Sequence, residues 1–148
     1  MAKTAQRQVV AEIKPVSVGG RRGPRFNGKF AQVSGGEITA NVEKVYDGGA
    51  LFPDVLCAPP EVGDITVTRH FDPQRDGAAL KKLRQMIGSA YYDVYVYTLN
   101  CDLKEAGTER VYAKALCVGL SEAEGDASSG APASFALTFS ISAVSAAN

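Results

Sequence analysis

The stretch from Gly35 to Asp76, GGEITANVEKVYDGGALFPDVLCAPPEVGDITVTRHFDPQRD, decides the fold class. In an extended chain Ile38, Ala40 and Val42 fall on one side, and Thr39, Asn41 and Glu43 on the other. The same alternation returns between Asp64 and Phe71, with Ile65, Val67 and Phe71 set against Thr66, Thr68 and His70. Between the two lies a loop over 47–63 that opens on Gly48-Gly49 and carries Pro53, Pro59 and Pro60. A loop of this length without structure of its own is usually functional or contact-making. Asp72-Pro73 then reads as a helix entry, with Asp as the cap and Pro at the first helical position, and Asp76 as a rival cap. Leu80, Leu83 and Ile87 form one apolar stripe, and Gly88 supplies the stop.

Outward from this centre the chain continues as strands. Gln8 to Ile13 alternates and is closed by Pro15, residues 19–28 (GGRRGPRFNG) read as a mobile basic loop, and Lys29 to Val33 resumes an extended pattern. Tyr91 to Cys101 and Glu109 to Leu120 are rich in Tyr and Val and pair as a hairpin about the KEAGT turn. Glu122 to Pro132 is a polar, flexible loop, and Ser134 to Val144 closes the chain with Phe135, Leu137, Phe139 and Ile141 on one face. Some seven strands and one helix make a mainly β fold: a sandwich or partly closed barrel with one flanking α-helix. The expected division is a basic N-terminal strand and loop over 1–29 and a β-domain over 30–148.

At 148 residues the chain is one domain by length, and 45% hydrophobic residues suffice for a core. No apolar run approaches the roughly 20 residues that cross a bilayer, so no membrane association is expected. The N-terminus lacks the apolar core of a secretory signal and is expected to stay in the mature protein. Sixteen basic and sixteen acidic residues give zero net charge, which argues against general affinity for nucleic acid. The zero conceals an asymmetry. Residues 1–29 hold Lys3, Arg7, Lys14, Arg21, Arg22, Arg25 and Lys29 against Glu12, a net +6, so the remainder carries −6. Such a basic block docks on an acidic neighbour or binds a polyanion. Cys57, Cys101 and Cys117 show no C-x-x-C spacing. Cys101 and Cys117 fall at different heights on their hairpin, so free thiols and synthesis in a reducing cytoplasm are expected.

No chemistry emerges from the motifs. His70, the single histidine, stands mid-strand on a polar face with no Ser or Cys motif near it. Glu122, Glu124 and Asp126 lie in a Ser/Gly loop that cannot hold carboxylates in a fixed, desolvated geometry. Gly19, Gly20 and Gly23 are followed by Pro24 and a strand, where a phosphate cradle needs a helix. Tyr91, Tyr92, Tyr95, Tyr97 and Tyr112 could stack on bases, but no cation interleaves with them between positions 91 and 97. No enzyme, cofactor or metal site is expected. Assembly is the better reading.

The order of these signals resembles phage major tail tube proteins of long-tailed, non-contractile phages. The resemblance covers roughly residues 30–145. It rests on Ser34-Gly35-Gly36-Glu37, Lys44 to Gly49, Ile65-Thr66-Val67-Thr68-Arg69, the FDPQRD approach to the helix, Val111 to Leu120, and the strand ending in Ile141 and Val144. It departs from that pattern at Cys57 to Pro60 and before position 29. The resemblance implies a β-sandwich that forms hexameric rings, stacked so that each subunit lends strands to a barrel around a lumen through which DNA passes without specific binding. It implies partners in copies of itself, a tape measure protein and terminator or tip proteins, and a place in the virion after assembly in the host cytoplasm. The same fold serves contractile tails and secretion tubes, which stay open as alternatives. So does a nucleic-acid-binding β-domain using the basic 1–29 segment.

A conduit for DNA should offer no cationic grip. The polar faces carrying Glu37, Thr39, Asn41, Glu43, Thr66, Thr68 and His70 are therefore expected to line the lumen. Arg21, Arg22 and Arg25, with Asp47, Phe52 and Asp54, are expected to make the contacts between rings.

Overall fold

A computed structural model describes residues 3, 5, 8–49, 51–102, 104–122, 125–128, 130–142 and 144–145. Its main sheet contains β1 (Val9–Val16), β2 (Gln32–Gly35), β7 (Ile65–His70), β8 (Tyr91–Leu99), β9 (Glu105–Ser121), β10 (Ser134–Ser140) and β11 (Val144–Ser145). Four short strands, β3 (Ile38–Ala40), β4 (Glu43–Val45), β5 (Asp54–Leu56) and β6 (Pro60–Val62), form two ladders apart from it. One helix among the described residues, α1 (Pro73–Arg84), flanks the sheet.

The sheet order is β1-β8-β9-β10-β7-β2, all antiparallel, with β11 beside β9. The sheet curls until its two edges meet at a single bridge. There Ala11 and Phe30 exchange backbone hydrogen bonds of 3.0 and 2.7 Å. One bridge is not a ladder, so the barrel stays partly open.

The interior follows the period-two pattern. Ala11 and Ile13 of β1, Val67 of β7, Val94 of β8 and Leu137 of β10 all point inward and are fully buried. Aromatic rings fill the centre: Phe30 meets Phe135 edge-on at 5.9 Å, and Tyr92 meets Phe139 at 5.7 Å. Each such ring contributes about 1.5–3 kcal/mol by leaving water, with a little more from the edge-to-face geometry. Leu80 and Leu83 of α1 join the same core, and Asp72 caps the helix by accepting from the N–H groups of Gln74 and Arg75. Asp76, the rival cap, is buried instead. Cys57 and Cys101 are exposed free thiols, while Cys117 is a buried free thiol pushed up to about 11 by burial.

Pro15 does not end β1, which runs on to Val16. A prolyl nitrogen has no hydrogen to donate, and β1 pairs only with β8 there, so no ladder bond is lost. The segment 19–28 also differs from the mobile loop expected of its glycines. Gly23, Pro24 and Phe26 are buried, and the Tyr92 hydroxyl donates to the Pro24 carbonyl at 2.7 Å. That bond closes off a buried carbonyl which water cannot reach. Tyr92→Phe is therefore expected to cost about 1–3 kcal/mol in urea denaturation. An unchanged midpoint would show that the loop is not held from this point.

Candidate functional site

The 38–62 segment forms a hairpin arm. Ile38, Thr39 and Ala40 pair with Val62, Glu61 and Pro60, and Glu43, Lys44 and Val45 pair with Leu56, Val55 and Asp54. Two residues on the outgoing strand oppose three on the return, a bulge that turns the second ladder relative to the first. The expected loop over 47–63 thus contains two short strands, six of its seventeen residues. Its three prolines hid this, but Pro60 sits at the start of β6 on a two-stranded ribbon, where a missing N–H is tolerated.

The root of the arm is tightly specified. The Gly36 N–H donates to the Asp64 carbonyl at 3.1 Å, and the Gly63 N–H to the Glu37 carbonyl at 2.8 Å. Gly35 and Gly36 both have positive φ, at +88° and +76°. A Cβ on Gly35 would lie 2.0 Å from the Asp64 oxygen, and one on Gly36 would lie 2.9 Å from the Tyr112 hydroxyl. Only glycine fits this shoulder.

Beyond the root, among the described residues, no hydrogen bond or ion pair joins the arm to the body. Ile38 is 59% exposed, Tyr46 64%, Phe52 83% and Leu51 88%. A lone two-stranded hairpin is marginal in water, and clustered exposed apolar side chains mark an interaction surface. The arm is also acidic. Residues 37–64 hold Glu37, Glu43, Asp47, Asp54, Glu61 and Asp64 against Lys44, a net −5.

Two further surfaces accompany it. Arg21, Arg22 and Arg25 are exposed on the 19–29 segment, and none takes part in an ion pair among the described residues. That segment is fixed from below by Tyr92 and by Arg69, whose guanidinium donates to the Asn27 carbonyl. It forms an anchored cationic shelf. The second surface lies on β7, β10 and β2. Thr66 and Thr138 hydroxyls stand 3.3 Å apart, and Ser34 and Gln32 pair with Thr66 and Thr68. This face is neutral and rich in hydroxyl groups.

No family model and no curated protein matches the chain. Solved structures do. A chain of the anti-feeding prophage tube-terminating cap matches at 16% identity and TM-score 0.73, over 98% of this chain and 91% of that one. A chain of the sheath/tube terminator of the extracellular contractile injection system PVC, in its extended state, gives 17% and 0.72 over 97% and 96%. A chain of the PVC sheath-tube complex gives 18% and 0.70 over 96% and 89%. The chain has a tube-type fold.

On this tube-type fold the residues expected to line a lumen divide between two places. Thr66 and Thr68 are half-buried side by side on β7 with His70 exposed at its end, whereas Glu37, Thr39, Asn41 and Glu43 are exposed on the arm. Asp47, Phe52 and Asp54 gather near the arm's tip, and Arg21, Arg22 and Arg25 on the shelf. His70 shows no acid or nucleophile partner among the described residues; its carbonyl accepts from Arg75 at 3.2 Å. No group of three or more metal-ligating side chains occurs among them. No helix among them is long and apolar enough to cross a membrane.

Sequence reasoning passed over Arg69. It lies in phase with Ile65 and Val67, hence on the core face, and is 5% exposed. Its guanidinium is ion-paired with fully buried Asp76 and stacks over the Phe30 ring at 4.4 Å. Burial lowers its pKa, and the Asp76 carboxylate opposes that shift. The signal was available: an arginine at the third inward position of an alternating strand needs an acid, and Asp76 follows one helical turn after the cap.

Proposed function

We propose that the chain is a structural subunit that polymerises through its arm into stacked, hexameric rings, forming the tube of a phage tail or tail-like particle. The arm carries this reading. A 25-residue hairpin with an uncovered apolar tip has no purpose in an isolated monomer and is completed by a neighbouring copy. Head-to-tail contacts that close make rings. The lumen is assigned to the faces bearing Glu37, Thr39, Asn41, Glu43, Thr66, Thr68 and His70, which hold no lysine or arginine. Lys44 alternates away from Glu43, and Arg69 is buried in the core. Such a bore lets a polyanion slide. The contacts between rings are assigned to Arg21, Arg22, Arg25, Asp47, Phe52 and Asp54. A tape measure protein inside the tube and terminator or tip proteins at its ends complete the particle. The contractile version gains support over the non-contractile one, because two of the similar chains come from an extracellular contractile injection system.

Electron microscopy of the purified chain tests the reading. Hollow tubes of constant diameter are the expected result; a monomer at every concentration and ionic strength overturns it. Reversing the three shelf charges (Arg21→Glu, Arg22→Glu, Arg25→Glu) is expected to raise the concentration needed for polymerisation about tenfold at low salt. The difference should shrink near 1 M salt, where screening acts within about 3 Å. Sedimentation across a salt series measures both. A deficit that persists undiminished in high salt would mean that the arginines act by shape rather than charge. Deleting residues 1–29 is a poorer test, since it removes β1 and Phe26 from the core.

A further inference from the structure

β1 and β2 touch at the Ala11–Phe30 bridge and then part. A cavity of about 700 Å³ opens between them, lined by the aliphatic Val9, Ala31 and Val33 and by the polar Gln32, Ser34, Thr66 and Thr68. β1 pairs only with β8, and β2 only with β7, so the facing edges hold backbone groups outside any ladder. None of the residues lining the cavity is charged. Lys29 stands two residues before Ala31, with its Nζ 5.6 Å from the ring of Tyr97, the cross-strand partner of Val10. One wall is therefore aliphatic, and the approach along the 19–29 segment is cationic.

We propose that this groove receives the arm tip of a second copy. Leu51 and Phe52 enter the aliphatic part beside Val9, Ala31 and Val33, leaving Thr66 and Thr68 to the bore, and Asp47 and Asp54 face the cationic approach. The inference rests on the tube reading and goes beyond it by naming the receptor. Three observations select this occupant. The tip is the most exposed apolar cluster among the described residues, and nothing in its own chain covers it. The charges are complementary, net −5 on residues 37–64 against net +6 on residues 1–29. Donor and receptor also lie on different parts of one chain, so the contact is heterologous and propagates from copy to copy.

Cross-linking between separately labelled chains tests it. In a Cys57→Ser/Cys101→Ser background, which leaves only buried Cys117, one chain carries Phe52→Cys and the other Ala31→Cys, with Val9→Cys as a second receptor position. The two are mixed, assembled and oxidised, then resolved without reductant. Heterodimers are expected to form roughly tenfold faster than with a Ser128→Cys control chain, because docking raises the effective concentration of the thiols. In parallel, Ala31→Trp fills the groove from an exposed position. It should raise the assembly concentration at least about tenfold with an unchanged melting temperature.

Tubes that form normally but cross-link no faster than the control, or that assemble from the Ala31→Trp chain at the parent concentration, overturn the groove while leaving the tube reading intact. A parent chain that never polymerises removes both.

Discussion

Replacing Leu51 and Phe52 together with aspartate will abolish polymerisation and leave the folded body unchanged. Both side chains are exposed in the isolated chain, at 88% and 83%, so neither supports the core. Buried at a contact, each contributes about 1.5–3 kcal/mol. Losing both costs at least about 3 kcal/mol, more than a hundredfold in association. The two added carboxylates must also be desolvated on an arm that is already net −5. Sedimentation of the double variant against the parent reads the first half of the expectation, and calorimetry the second. If tubes appear at the parent concentration, the apolar tip is not the joint. If the melting temperature falls by several degrees, the tip packs against the fold of its own chain.

The second large effect lies inside the body. Asp76→Ala should cost about 3–5 kcal/mol, a substantial share of the 5–15 kcal/mol that holds a domain folded. Asp76 is fully buried, pairs with Arg69 and Arg75, and accepts from the Asp72 N–H at 3.2 Å, so it fastens the start of α1 to β7. Removing it leaves the Arg69 guanidinium buried without its counter-charge. Urea denaturation of Asp76→Ala, Arg69→Met and the double variant separates the causes. An unpaired charge predicts that the double variant recovers part of the loss. If the double variant loses as much as the two singles combined, the pair acts through packing alone.

The strands that build the body were legible because each presents one face to the core. The hairpin begun by Tyr91–Leu99, the closing strand from Ser134 and the Asp72-capped helix follow from alternation, β-branched content and cap chemistry, but the KEAGT turn does not: the returning strand already begins at Glu105, paired with Leu99. The arm was only half legible. Ile38 to Val45 alternates clearly, but the returning Asp54–Leu56 and Pro60–Val62 strands are three residues each, interrupted by a bulge and flanked by prolines. Local patterning is weakest in such short elements, and here no core enforces it. The 19–29 segment was misleading for the opposite reason. Its glycines and arginines signal mobility, yet Phe26 and Phe30 bury themselves among distant rings, which no local window reveals. Arg69 was missed because periodicity assigns a face without regard to charge. The residues proposed for the lumen and for ring contacts came from polarity and charge alone; they lie on one strand, an arm and a shelf that one-dimensional reading could not distinguish.

The glycine shoulder has a geometric consequence. Gly35 and Gly36 leave no room for a larger side chain, and their backbone angles are closed to other residues without strain. The arm therefore departs from every molecule in one orientation. In a polymer joined through that arm, each molecule would be related to the next by one repeated screw operation, so pitch and diameter would depend on two adjacent glycines at the arm's root.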